Sequence, residues 1–204
     1  MKKLTRDFYN RDTLEVAGDL LGKYLVHEIG SQKLIGKIVE VEAYKGPGDK
    51  AAHSYGGKIT ERNKVMFGPP GYAYVFNIYG MYQCMNVVTE PEGNPCAVLI
   101  RAVEPVAGED FMARNRYNKD YEALDKRSRI NISNGPGKLC IALGIAMKHY
   151  GQDLCGDVLY ITENDKNEEF YIATSPRINI DYAEEAMHFP WRFYIEGNKY
   201  VSKK

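Results

Sequence analysis

The chain has 204 residues, 44% of them hydrophobic and 26% charged, with 27 basic side chains balanced by 27 acidic ones. That length suits one domain with a real core, and the composition excludes a disordered or fibrous chain. Zero net charge excludes a generic, uniformly basic nucleic-acid binder, so a nucleic-acid partner would have to meet positive charge gathered on one face.

Met1-Lys2-Lys3 opens like a secretion signal, but Thr5-Arg6-Asp7 follows and no apolar run approaches membrane-spanning length. A cytoplasmic chain with no membrane contact is the expectation. Thr13 to Leu21 predicts an amphipathic helix, with Leu14, Ala17, Leu20 and Leu21 at helical spacing and Gly22 as its cap. Two strands follow, Tyr24 to Glu28 and Lys33 to Tyr44, around a Gly-Ser turn. Lys45 to Pro70 reads as a long loop, a length that is usually functional inside a compact domain. Tyr72 to Thr89 predicts two strands around a tight turn near Tyr79-Gly80-Met81, and Val98 to Val103 another strand. Gly108 to Arg129 is charged and predicts a helix with a solvated face. Asn134-Gly135-Pro136-Gly137-Lys138 leads into a predicted helix over Leu139 to His149. It is not a P-loop, and it serves either as a plain turn or as a backbone cradle for a phosphate. Val158 to Thr162, Phe170 to Ile180 and Trp191 to Glu196 read as strands. No repeat or linker interrupts the chain, so one α+β domain over residues 1–204 is predicted.

Cys84, Cys96, Cys140 and Cys155 form no C-x-x-C pair and the histidines are scattered, so reduced, mostly buried thiols are expected and no metal site is suggested. The 16 tyrosines fit either half-buried strands or surfaces that stack and hydrogen-bond. Val39 to Tyr44 alternates. Val39, Val41 and Ala43 face the core, while Glu40, Glu42 and Tyr44 share the other face, at the mouth of the long loop. A solvated strand and a catalytic face give the same pattern. His53 lies in the loop that would overhang Glu42. The Tyr79-Gly80-Met81 tip either folds back on the core or presents apolar groups to a partner, as proteins that bend DNA do.

Several blocks, in order and spanning nearly the whole chain, resemble the alkyladenine (3-methyladenine) DNA glycosylases of mammalian type. They are Glu40-Val41-Glu42-Ala43-Tyr44-Lys45-Gly46-Pro47, Ala51-Ala52-His53-Ser54, Tyr79-Gly80-Met81-Tyr82 with Met85-Asn86, Val98 to Pro105, Asn134 to Cys140, and Pro190-Trp191-Arg192-Phe193-Tyr194. The resemblance implies a curved, largely antiparallel sheet with surrounding helices and a β-hairpin that enters the minor groove. It implies a bacterial DNA repair hydrolase that flips alkylated or deaminated purines from duplex DNA and cuts the N-glycosidic bond. Glu42 matches the general base and Arg101 the residue that holds the water and carboxylate. Tyr44, His53 and Phe76 match the walls around the flipped base, with the backbone N–H at His53 donating to it. Asn86 matches a residue that discriminates against the amino group of guanine. Tyr79 matches the plug that fills the duplex, with Met81 beside it. Phe76 departs from members that carry Tyr there: stacking survives and a hydroxyl contact is lost, so the damage spectrum can differ.

Neither a metal nor a redox cofactor is implied, and the expected partner is double-stranded DNA containing a damaged purine, bound by a monomer. No lysine falls within Val39 to Tyr44, so hydrolysis without a Schiff base is expected. Two other readings stay open. One is a non-catalytic module that binds lesion DNA. The other is a glycoside hydrolase using Glu40 and Glu42, which strand geometry puts about 7 Å apart.

Overall fold

A computed structural model describes residues 1–166 and 168–203. Its centre is strand β2 (Gln32–Tyr44), which is antiparallel to β1 (Tyr24–Ile29) on one side and to β5 (Cys96–Ala107) on the other. The sheet continues as β3 (Ala73–Ile78), β4 (Tyr82–Thr89), β5, β2, β1 and β6 (Leu159–Thr162). A branch, β7 (Ile172–Ser175) on β8 (Arg192–Ile195), joins β2 at Glu40 to Glu42. Every pairing is antiparallel, and the sheet curls around the core.

The predicted alternation on β2 explains its position. Val39, Val41 and Ala43 are fully buried and belong to the main core, with Met112, Ile132 and Leu139 from the helical side. Each such valine contributes roughly 1.5–3 kcal/mol by leaving water. The opposite face is not solvated: Glu40 and Glu42 are also 0% exposed. Strand β8 and the segments flanking it account for this. The strand lies alongside β2 and carries Arg192 beside Glu42 in register, while the Ile178 and Ser202 main-chain N–H groups close onto the carboxylates.

The early elements fall where the sequence puts them. The helix spans Thr13–Leu20, with the Asp12 side chain accepting from the Leu14 N–H as N-cap. Gly22 follows one residue beyond the extended Leu21, at φ +81. A one-turn helix, Arg6–Tyr9, precedes it and has no periodic signal. The hairpin turn is left-handed at both central residues, Tyr79 (φ 51) and Gly80 (φ 74), the type I′ geometry that matches strand twist. Glycine takes it freely, while a tyrosine held there costs roughly 1–2 kcal/mol.

Three expectations are corrected. Gly108 to Arg129 is not one helix: it breaks into Glu109–Tyr117, a 3-10 turn and Lys126–Ile130. Left-handed Asn118 (φ 55) ends the first piece, and Met112 and Ala113 turn a buried face inward. The helix predicted over Leu139 to His149 begins earlier, at Pro136, and ends at Ala142, just before Gly144 (φ 66). Phe170 to Ile180 is a strand only over Ile172–Ser175, and Pro176 to Ile180 forms a loop. All four cysteines are free. Among the described residues no helix is long and apolar enough to cross a membrane.

Candidate active site

A cavity of about 470 Å³ opens between the long loop, the hairpin, β5 and the 176–182 loop. That is within the usual range for a small-molecule pocket, about 300–1,000 Å³. Its wall brings together Tyr44, His53, Phe76, Asn86 and Arg101, as well as Tyr79 at the rim. Met81 stands outside it on the same hairpin tip. The tip is free of the core: Tyr79 is 80% and Met81 65% exposed.

Glu42 lies behind this wall. Its Oε1 accepts the Ile178 backbone N–H at 2.7 Å. Its Oε2 accepts the Tyr44 hydroxyl at 2.9 Å and faces Arg101 Nη1 at 3.2 Å. A carboxylate has about four lone-pair directions, so three are taken and one remains for a water. The register explains the pairing with Arg101. Glu42 pairs with Leu99, and a local offset around Glu40 and Val41 accommodates Arg101 between the two carboxylates.

Tyr44 is held from behind. The Arg177 guanidinium stacks 4.7 Å from its ring centre and 5.0 Å from that of Trp191. Arg177 is completely buried and forks onto Asp49 at 2.5 and 2.8 Å. Burial, then the neighbouring Glu42 charge, push the Tyr44 phenol well above its ordinary range, so it donates to Glu42 rather than ionising.

His53 is exposed overall at the mouth, yet its ring is flanked by aromatics. Nδ1 meets the Tyr74 hydroxyl at 2.7 Å, and Phe76 packs edge-on at 4.6 Å. Desolvation of the ring, assisted by the Arg62 charge, brings its pKa down to about 4, so it is neutral at physiological pH. The Asn86 amide donates to the Tyr74 carbonyl at 3.1 Å, which leaves its oxygen for a ligand. Phe76 tilts against Tyr74 at 5.2 Å and carries the Arg62 guanidinium 5.1 Å from its ring centre.

Four features have site roles that the sequence reading did not give them. Ile178 acts through its backbone N–H, which no side-chain pattern can announce. Arg177 and Asp49 lie far apart in sequence. Tyr74, on β3, ties His53 to Asn86. Arg116 and Lys138 line the rim, and neither pairs with a carboxylate among the described residues. Lys138 lies in the singled-out Asn134-to-Lys138 segment and Arg116 in the segment read as a solvated face.

Fold and cavity together define an α+β enzyme with a buried carboxylate–arginine set behind an aromatic pocket. The chain belongs to the methylpurine-DNA glycosylase family, whose model matches residues 7–199, and is an enzyme of that glycosylase class. Three bacterial proteins named "Putative 3-methyladenine DNA glycosylase" are similar to it along their whole length. That of Alkaliphilus oremlandii (strain OhILAs) is 60% identical over 202 residues, 99% of this chain and 100% of its own. Those of Desulfitobacterium hafniense (strain Y51) and Clostridium novyi (strain NT) are 58% and 59% identical over 204 residues, 100% of both chains in each case.

Proposed function

We propose that this enzyme is a monofunctional glycosylase that flips an alkylated or deaminated purine out of duplex DNA and hydrolyses its N-glycosidic bond with a water activated by Glu42. The observation that carries this reading is the Glu42–Arg101–Tyr44 set behind an aromatic cavity, next to a hairpin whose Tyr79 and Met81 are exposed. Candidate substrates are 3-methyladenine, 7-methylguanine, hypoxanthine and ethenoadenine.

Flipping costs a few kcal/mol and is cheapest for damaged or mispaired bases. Tyr79 fills the gap in the duplex and Met81 wedges beside it. The purine enters between Tyr44 and the His53–Phe76 side, where an electron-rich wall favours a cationic alkylated ring. Neutral His53 adds no opposing charge. The backbone N–H of His53 donates to the base, and the free Asn86 oxygen meets its edge.

The C1′–N bond then breaks, with its electron pair leaving on the purine. The water oxygen bonds to C1′ and its proton passes to Glu42. Ionised Glu42 also stabilises the oxocarbenium-like sugar. Arg101 orients the carboxylate, and rim residues Arg116 and Lys138 meet backbone phosphates. One hairpin probing one groove needs no symmetry, so the enzyme acts as a monomer, on DNA in the cytoplasm.

Glu40 does not support the glycoside hydrolase reading: all its oxygens are held by Arg101, Arg192 and Ser202. The test is release of free base from duplexes carrying hypoxanthine or ethenoadenine. Expected is an abasic product with intact strands and no borohydride-trapped adduct. Tight binding to every lesion duplex with no release would favour the non-catalytic module instead.

A further inference from the structure

Glu40 is as buried as Glu42, yet it does not line the cavity. Four donors converge on it. Arg101 Nε and Arg192 Nε reach its Oε1 at 2.9 and 2.8 Å. The Ser202 backbone N–H reaches Oε2 at 2.6 Å, and the Ser202 hydroxyl reaches Oε1 at 2.8 Å. The same hydroxyl oxygen lies 3.3 Å from Arg101 Nη2, which donates to it. A hydroxyl has one proton to give and lone pairs to receive, so Ser202 bridges Glu40 and Arg101 in a single orientation. Arg101 is thereby shared, with Nε on Glu40 and Nη1 at 3.2 Å from Glu42. Arg192 closes the arrangement by donating to Ser175 Oγ at 2.9 Å and to the Lys203 carbonyl.

Two carboxylates and two guanidiniums here balance in charge. Burial alone would push the Glu40 carboxyl up, but its arginines and Ser202 hold it below the ordinary range, so it stays an anion. An anion pulling on Arg101 from one side must be satisfied, or it draws the guanidinium away from Glu42.

We propose that Ser202 is a positioning residue for Glu42: by satisfying Glu40 and pinning Arg101 Nη2, it fixes how Arg101 divides itself between the two carboxylates. The inference rests on the reading of Glu42 as the general base. Ser202 touches neither the cavity nor Glu42. Its influence passes through Arg101, against which Tyr44 and Glu42 from β2 and Arg192 from β8 are also set.

The variants are Ser202→Ala and Ser202→Thr. With a hypoxanthine duplex, Ser202→Ala should lower the single-turnover rate of base release on the order of fivefold, the equivalent of about one hydrogen bond. Affinity for the lesion duplex and the thermal midpoint should stay near wild type, and Ser202→Thr should restore the rate. In a Glu40→Gln background Ser202→Ala should have a smaller effect than in wild type, because only the Arg101 Nη2 contact is left to lose. The Arg101 Nε–H resonance is read as well: it should shift and exchange faster in Ser202→Ala, whether or not base is released. A wild-type rate in Ser202→Ala overturns the proposal, and so does an unchanged Arg101 resonance. A wild-type enzyme without base release, with a displaced Arg101 resonance in Ser202→Ala, sinks the glycosylase reading and leaves the positioning role supported.

Discussion

Asp49→Asn is the substitution whose cost can be worked out most directly. The side chains of Asp49 and Arg177 are both 0% exposed and joined by two hydrogen bonds, at 2.5 and 2.8 Å. Asparagine keeps the shape but removes the charge and turns an amide donor toward the guanidinium. Arg177 is then a buried cation without its paired anion, facing one amide oxygen, the Ala43 and Ala186 carbonyls and the rings of Tyr44 and Trp191. Breaking a buried pair from one side typically costs about 3–5 kcal/mol. For a chain of this size each kcal/mol lowers the melting temperature by about 2–4 °C, so a fall of about 6–20 °C is expected. Catalysis should suffer as well, because Arg177 backs the Tyr44 ring and precedes the Ile178 N–H that fixes Glu42. Thermal melts and single-turnover base release below the melting temperature measure the two effects. A midpoint within about 2 °C of wild type would refute the reasoning, since it would mean Arg177 is not held by charge.

Tyr79→Ala should leave the melting temperature unchanged, because the ring is 80% exposed. It should weaken binding to a lesion duplex by about 1–3 kcal/mol, the usual worth of one stacked aromatic, and equal affinity would remove the plug from the account. His27 and His149 pack edge-on at 4.7 Å. Desolvation depresses both, His149 to about 4. The His149 Nδ1 accepts the Ala146 N–H at 3.0 Å, a bond its protonation would break. Unfolded imidazoles bind protons below about pH 6.5, so stability should be intact above that value and fall progressively toward about pH 4. His149→Gln should flatten this loss, and a urea midpoint just as pH-dependent as wild type would contradict the assignment.

What was legible in the sequence was whatever a local pattern carries. Val39, Val41 and Ala43 announced the core face of β2, and Tyr79-Gly80 the turn. The family blocks then brought Glu42, Arg101, Tyr44, His53, Phe76 and Asn86 to one place, and all but Glu42 stand on the cavity wall itself. The burial of Glu40 and Glu42 was not legible, because alternation cannot tell a solvated face from one closed over by segments far later in the chain, at Ile178 and Ser202. The break at Asn118 was hidden in a charged segment and that at Gly144 by helical periodicity, both of which continue in composition after the backbone has turned left-handed. Ile178 contributes a main-chain group, and Arg177 matters only where Asp49, Tyr44 and Trp191 meet around it.

Glu42→Gln tests the central claim most directly. The glutamine carbonyl oxygen can still accept from the Ile178 N–H, while its NH2 takes the other position and donates to the Tyr44 hydroxyl oxygen, so fold and lesion binding should persist. The side chain can no longer take a proton from water or stabilise a cationic sugar. Single-turnover release of hypoxanthine from a duplex should therefore fall by about 10²–10⁴ while affinity for that duplex is retained. Release at the wild-type rate by Glu42→Gln would contradict the account.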